Sequence, residues 1–274
     1  EINPLFKTAD NKMVAVDCKM GLDENGFSVA GVRCMVPFLT NSNNLTKLNL
    51  NSNNIQSEGF NMLLRALRDS PIERLHCMYN GIESIDIDRS DTPKHLKFLD
   101  LYGNRINADG CRELAKLLKG EDSTLTHLFL CHNKIDDEGV AILVDALKKK
   151  TSLIRLVLRG NDDISSEGKI MLLKLVNDIS SIKATLQSNH TLQCLYLNDI
   201  DKDELLDADD KIQMHIFAAT EINMNYRSNS EAAGRQKVIA SHLQSQNRAA
   251  LCRLQEVDHS VYSGLIFSIY LRCF

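Results

Sequence analysis

Tryptophan is absent from the 274-residue chain, and 6 Tyr with 9 Phe bring the aromatics to only 5%. A core without large rings must be built from branched aliphatics, and a hydrophobic content of 43% supplies enough of them. Excess positive charge is also missing. The 32 Lys and Arg stand against 36 Asp and Glu, a net charge of −4. That balance gives no electrostatic reason to expect nucleic acid or anionic lipid as the partner. No window approaches the roughly 20 apolar residues that cross a bilayer, and the apolar stretch 264–274 is short and interrupted by Arg272. The opening EINPLFKTADNK lacks the basic-then-apolar layout of a secretory leader. A start at Glu1 instead of Met fits a fragment of a longer protein.

Chemistry-bearing patterns are equally scarce. The 8 cysteines, at 18, 34, 77, 111, 131, 194, 252 and 273, form no C-x-x-C pair and no set with His at zinc spacing. Reduced core thiols, and with them a cytoplasmic or nuclear setting, are the expectation. The G-x-x-x-x-G-K-[ST] phosphate loop, the H-E-x-x-H zinc motif and convergent carboxylate pairs are all missing. No catalytic residue, cofactor or metal is therefore expected.

What is present is a repeat. Five segments stack as L-x-x-L-x-L-x-x-N-x-I: LTKLNLNSNNI from Leu45, IERLHCMYNGI from Ile72, LKFLDLYGNRI from Leu96, LTHLFLCHNKI from Leu125 and LIRLVLRGNDDI from Leu153. Their starts lie 27, 24, 29 and 28 residues apart. Ile72 and Cys77 replace two leucines in the second copy, and the fifth carries one inserted residue before Ile164. Degenerate copies are placed near Met13 (MVAVDCKMGL) and at Leu192 (LQCLYLNDI), the latter without the Asn.

Each position has its own physics. The L-x-L core alternates with period two, the pattern of a strand with one buried face. The Asn column, Asn53, Asn80, Asn104, Asn133 and Asn161, is expected to point inward and bond backbone groups of neighbouring turns. In four copies a helix follows, starting at Ser57, Asn107, Asp136 and Ser165, each with capping and acidic residues in its first turn. Gly59, Gly110, Gly139 and Gly168 hold one fixed place, where each helix should approach its neighbour closely. The second copy continues as SIDIDRSDTPK, too short and polar for a full helix and opposed by Pro93.

Strand–loop–helix units of this length resemble the ribonuclease-inhibitor-like class of leucine-rich repeat. The resemblance covers roughly residues 13–200. The class includes ribonuclease inhibitor, the sensor regions of NOD-like receptors and the Ran GTPase-activating protein. It implies an α/β horseshoe solenoid with a concave parallel sheet, convex helices and, for most members, protein binding. The expected layout is a capping repeat over about 1–44, clear repeats over 45–180 and a degenerate repeat at 190–200. An acidic linker and a helical cap follow over 201–274, with helices near 210–227 and 231–256; a further helix is expected at 29–39.

Outward-pointing residues between and just after the inward leucines should line the concave face. The partner-binding candidates are His76, Met78, Asp100, Tyr102, Phe129, Cys131, Arg159 and Tyr196, a set rich in the aromatic, Met and Arg residues of interface hot spots. The run from Asp199 through Asp201, Asp203 and Asp207 to Asp210 matches calcium-loop spacing, but Glu204 occupies the place of the turn glycine, which favours a solvated linker. Cys131 and His132 are adjacent in a strand and so point to opposite faces, which argues against a nucleophilic pair. The sequons at Asn44 and Asn189 read as polar lead-ins to strands. The expected function is a protein-binding scaffold or regulator. The alternatives are a small-GTPase regulator and a ligand-sensing piece of a larger receptor.

Overall fold

The computed structural model describes residues 27–41, 45–88, 93–119, 123–148, 152–197 and 208–243, and the backbone of 6–7 and 13–14. Six short strands form one parallel sheet in chain order: β3 (Lys47–Asn49), β4 (Arg74–His76), β5 (Phe98–Asp100), β6 (His127–Phe129), β7 (Arg155–Val157) and β8 (Cys194–Tyr196). The register pairs Leu48, Leu75, Leu99, Leu128, Leu156 and Leu195 in one inward row. All six are essentially inaccessible to solvent, and Leu50, Leu101, Leu130 and Leu158 form a second buried row. Parallel neighbours need a crossover, and helices supply it between most strands. These are α2 (Gln56–Ala66), α3 (Ala108–Leu118), α4 (Asp137–Leu147) and α5 (Ser166–Val176), followed by the short α6 (Ile182–Gln187), which the repeat pattern gives no hint of.

The helix starts follow the capping argument in three cases. Asn107 accepts from the Gly110 N–H, Asp136 from the Gly139 N–H and Ser165 from the Glu167 N–H. Ser57 does otherwise. It lies inside α2, and its Oγ accepts the N–H groups of Glu83 and Ser84 from the next repeat, at 3.0 and 2.9 Å. That bond explains how the helix-less second copy is held. Residues 81–88 run irregularly with Ile82, Ile85 and Ile87 buried, and Asn61 and Glu113 accept the N–H groups of Asp86 and Ile87. The flanking helices thus supply the backbone partners that a helix would have supplied itself. The fixed glycine is squeezed from two sides: a Cβ at Gly110 would sit 2.6 Å from Cγ2 of Ile106 in its own repeat, and one at Gly168 would meet the Asp137 carboxylate of the repeat before.

Both ends depart from the repeat. Met13–Val14 (β2) pairs antiparallel with Phe6–Lys7 (β1) and not with the parallel sheet, so the copy placed at Met13 is corrected. The first described repeat-like feature is Phe27, whose N–H donates to Asn53 Oδ1 at 2.8 Å, just as Ile55 donates to Asn80. Phe27 and Gly31 stand 28 residues before Ile55 and Gly59, and α1 (Val29–Thr40) packs on α2. The repeat signal lay there in the sequence, out of register with Met13.

At the other end α7 (Ala208–Asn225) crosses α5 and β8, burying Ile216 and Ala219 in the common core. Gln213 fills the place of the lost ladder Asn. Its Oε1 accepts the Leu197 N–H at 2.8 Å and its Nε2 donates to the Leu195 carbonyl at 3.1 Å. Asn223 donates to the Leu192 and Asn189 carbonyls. Helix α8 (Ser230–Val238) and a π-turn (Ile239–Leu243) pack beyond it. From α8 comes a buried Lys237, whose Nζ donates to the carbonyls of Val176, the last residue of α5, and Asn189, and lies 3.2 Å from His190 Nδ1. Burial pushes this amine down to about 7. Asn189 is itself buried, donating to the Leu147 carbonyl and accepting from Thr191 and Leu192, so it serves the fold as a turn anchor.

Candidate functional site

The Asn column forms a continuous ladder under the concave rim. Asn80 donates to the Leu50 and Met78 carbonyls, and Asn133 to those of Leu101, Leu130 and Cys131. Asn104 accepts the N–H groups of Asn80 and Ile82 and donates to Cys77, Leu101 and Tyr102. Asn161 accepts from Ile135 and donates to Leu130 and Leu158; Asn53 accepts from Phe27 and donates to Leu50 and Asn51. Each side chain ties its own turn to the turn before, which fixes the spacing of everything mounted on the face.

Two aromatic groups stand on that scaffold. The first centres on Phe98, with ring centroids 4.8 Å from His76, 5.0 Å from Phe129 and 5.9 Å from His127, and with the Arg74 guanidinium 5.8 Å above the ring. Phe98 belongs to an outward column that the residues between and after the leucines do not include. Its register partners are Lys47, Arg74, His127, Arg155 and Cys194. The same period-two rule predicts this column, since the residue before an inward Leu points outward as surely as the one after it. Burial and the guanidinium groups of Arg155 and Arg74 hold His127 below the ordinary imidazole value.

The second group lies along the rim, where the strands end. Tyr102 sits 5.1 Å from Tyr79 and 5.0 Å from His132, centroid to centroid. The residue before each ladder Asn has a left-handed backbone: Ser52, Tyr79, Gly103, His132 and Gly160, with φ between 50° and 69°. Glycine suits that conformation, whereas tyrosine and histidine pay about 1–2 kcal/mol for it. The two strained rings lie over the glycines of the following repeat. A Cβ at Gly103 would meet the Tyr79 ring at 2.4 Å, and one at Gly160 would meet His132 Nδ1 at 2.5 Å. Backbone strain concentrates where a surface has a use. Neither Tyr79 nor His132 was among the candidates, because sequence spacing carries no sign of φ.

The other candidates divide by exposure. Tyr196 is 44% exposed and meets Phe217 of α7 at 5.1 Å, so the cap extends the face. Arg159 is exposed, and Met78, Tyr102, Phe129 and His76 are half-buried. Asp100 and Cys131 retain only 9% and 6% exposure, so both drop out of the contact set. Asp100 turns inward along the face to accept the Tyr102 N–H at 3.1 Å and lies 3.7 Å from His76 Nδ1. Burial pushes the Cys131 thiol up to about 11 and that of Cys194 likewise, while Cys77 rises further still, so none is a thiolate near neutrality. The acidic run from Asp199 to Asp207 lies outside the described residues. No described helix is long and apolar enough to cross a membrane, and no three described His, Cys, Asp or Glu side chains converge as metal ligands.

The repeat is also matched in known protein sequences. A leucine-rich-repeat family model matches residues 41–64, 92–115 and 121–143. A human protein, "NACHT, LRR and PYD domains-containing protein 5", is 29% identical over 131 residues, 48% of this chain and 9% of that protein. The zebrafish (Danio rerio) Tonsoku-like protein is 22% identical over 81% of this chain and 14% of its own length. Among solved structures, actin-binding site 2 of leiomodin-1 aligns over 81% of this chain and 97% of that one, with 18% identity and a TM-score of 0.42. The chain thus spans under a sixth of the length of these curated relatives. With its six-stranded parallel sheet, its in-register Asn ladder and the matched repeats, the chain carries leucine-rich repeats and has their fold.

Proposed function

We propose that the chain is a non-catalytic protein-binding module whose concave sheet grips its partner through the Phe98 cluster and the Tyr79–Tyr102–His132 rim. The observation that carries this reading is the presence of two ring clusters, with cations between and beside them, on a sheet whose spacing is fixed by buried hydrogen bonds. A preformed surface loses little conformational freedom on docking, so modest contacts add up. The raised thiols leave Cys131 no nucleophilic role beside His132. The cysteines described, Cys34, Cys77, Cys111, Cys131 and Cys194, are all free thiols, which supports a reducing setting such as cytoplasm or nucleus.

The test is affinity capture from cell lysate with the intact chain and with a Phe98→Ala, Phe129→Ala variant, both shown by circular dichroism to fold. Partners retained by the first and lost by the second support the concave face. Equal recovery from both overturns it. A second reading, a ligand-sensing piece of a longer receptor, draws on the matches to NACHT, LRR and PYD domains-containing proteins of which this chain covers about a tenth.

A further inference from the structure

We infer that the occupant of the concave face is an extended acidic segment of a partner protein, in which two carboxylates about four residues apart bracket one apolar side chain. This inference rests on the concave-face reading above and names the partner's chemistry. The carboxylates would pair with Arg74 and Arg155, and the apolar side chain would lie on Phe98 and Phe129.

Charge distribution is the first argument. The chain as a whole is net −4, yet the outward strand positions carry Lys47, Arg74 and Arg155, and burial with the charges of the two arginines holds His127, between them, below its ordinary value. The one acid at an outward position of the described strands is Asp100, which is buried and bonded to the Tyr102 backbone. On the helices and loops several cations are matched from repeat to repeat. Arg33 meets Glu58, Lys94 meets Asp69, Lys97 meets Glu73, Arg112 meets Glu138 and Lys119 meets Asp145. The Arg74 and Arg155 side chains are exposed, and Glu73, whose carboxyl feels the Arg74 charge, makes its own close ion pair with Lys97 at 2.6 Å. A face that carries Arg74 and Arg155 on an acidic protein is complementary to an anion.

Register then sets the spacing. Arg74, Phe98, His127 and Arg155 pair directly across β4 to β7, so they form one row at right angles to the strands. At about 4.8 Å per strand the two guanidinium stems stand roughly 14 Å apart, which an extended chain spans in about four residues. Between the two posts lies a trough of rings, with Phe98 half-buried against Phe129, His76 and His127. A side chain midway between the carboxylates reaches that trough, and an apolar one suits it.

The same row speaks against other anions. Single-stranded nucleic acid needs a continuous basic track beside its stacking rings, whereas here two posts flank an aromatic centre. A phosphorylated residue is taken by a cluster of converging arginines, and these two diverge by three strands.

The test measures fluorescence anisotropy at low ionic strength with a labelled peptide, Gly-Ser-Glu-Ser-Leu-Ser-Glu-Ser-Gly, and the full chain. The same peptide with Gln for both Glu should bind about tenfold more weakly, as should one with the two Glu adjacent. An Arg74→Glu, Arg155→Glu double variant should lose the acidic peptide and gain the peptide with Lys for both Glu. Because both positions are exposed, the double variant should keep its circular dichroism spectrum, and the gained Lys peptide itself reports an intact face. Absence of acidic-peptide binding, equal binding of the Gln peptide, tighter binding of a polyuridine oligonucleotide, or no exchange of preference in the double variant would each overturn the acidic-segment proposal. Lysate capture that still depends on Phe98 and Phe129 in such a case leaves the concave-face reading standing, and its loss strikes both.

Discussion

The interior repeats and the C-terminal end face the same demand and meet it differently. Wherever a strand turns into the following loop, backbone N–H and C=O groups leave the sheet and need partners. In the interior one residue type at one spacing supplies them: Asn80, Asn104, Asn133 and Asn161 each bridge two turns. Beyond β8 the described residues hold no further strand of the sheet, and the partners come from two helices of different composition. Gln213 takes the ladder's place, Asn223 caps the carbonyls of Asn189 and Leu192, and Lys237 caps Val176 at the end of α5. Interior satisfaction is periodic and can be replaced only by itself. Terminal satisfaction is assembled from side chains unrelated in sequence, and it includes an ionisable group.

The largest effect expected from breaking that contrast is at Asn104. An Asn104→Ala change removes the side-chain acceptor of the Asn80 and Ile82 amides and the side-chain donor to the buried Cys77 carbonyl, and should cost about 3 kcal/mol. The Leu101 and Tyr102 carbonyls keep Asn133 and the Tyr79 N–H. Asn53→Ala, at the half-buried N-terminal edge, should cost nearer about 1 kcal/mol. Urea unfolding of the two variants checks the order, and equal losses would mean that the ladder's position in the stack does not matter.

Gln213→Ala comes next, with a loss of about 1–2 kcal/mol. Its signature should be local, because stability in a repeat stack is carried by neighbouring interfaces. Hydrogen exchange should quicken in β8 and α7 and stay unchanged in β4–β6. Uniform quickening would mean that the cap and the repeats unfold as one unit.

Lys237 sharpens the comparison through pH. Its folded value, about 7, lies below the ordinary 10.5, so burial penalises the charged form. The penalty is complete below pH 7 and fades as pH rises toward 10.5, so stability should increase across that window. His190, held down by burial and by Lys237, works in the same direction at lower pH. A Lys237→Met variant should show a flatter melting temperature from pH 7 to 10. An unchanged slope would assign the pH dependence elsewhere.

The smallest expected stability change is at the rim. In Tyr79→Gly, release of about 1 kcal/mol of backbone strain offsets the lost ring contacts, leaving the melting temperature nearly level while capture of the partner falls. A large loss of stability would make Tyr79 a packing residue instead.

How far the sequence could be read follows from the same contrast. The inward leucines, the Asn column, the helix starts at Asn107, Asp136 and Ser165, and the missing second helix were all legible, because each is a local demand repeated at fixed spacing. Phe98 was equally legible by alternation, since the residue before an inward leucine points outward. Phe27 with Gly31 repeats Ile55 with Gly59 at a distance of 28 residues, but without the leucines that announce a copy. Gln213, Asn223 and Lys237 could not be read, since their partners lie from 16 to 61 residues away with no period linking them.

The sequence by itself determined the repeat, the parallel sheet and which row of side chains is buried, because periodicity of two and of about 28 leaves few ways to hide the leucines. Tertiary structure alone decided which outward residues are available and which are covered. It lowered Asp100 and Cys131 into the sheet, raised Tyr79 and His132 on strained backbone, and left Arg74 and Arg155 at either side of Phe98. Exposure, φ and charge pairing depend on neighbours brought together by stacking, and that information is held between repeats and not within any one of them.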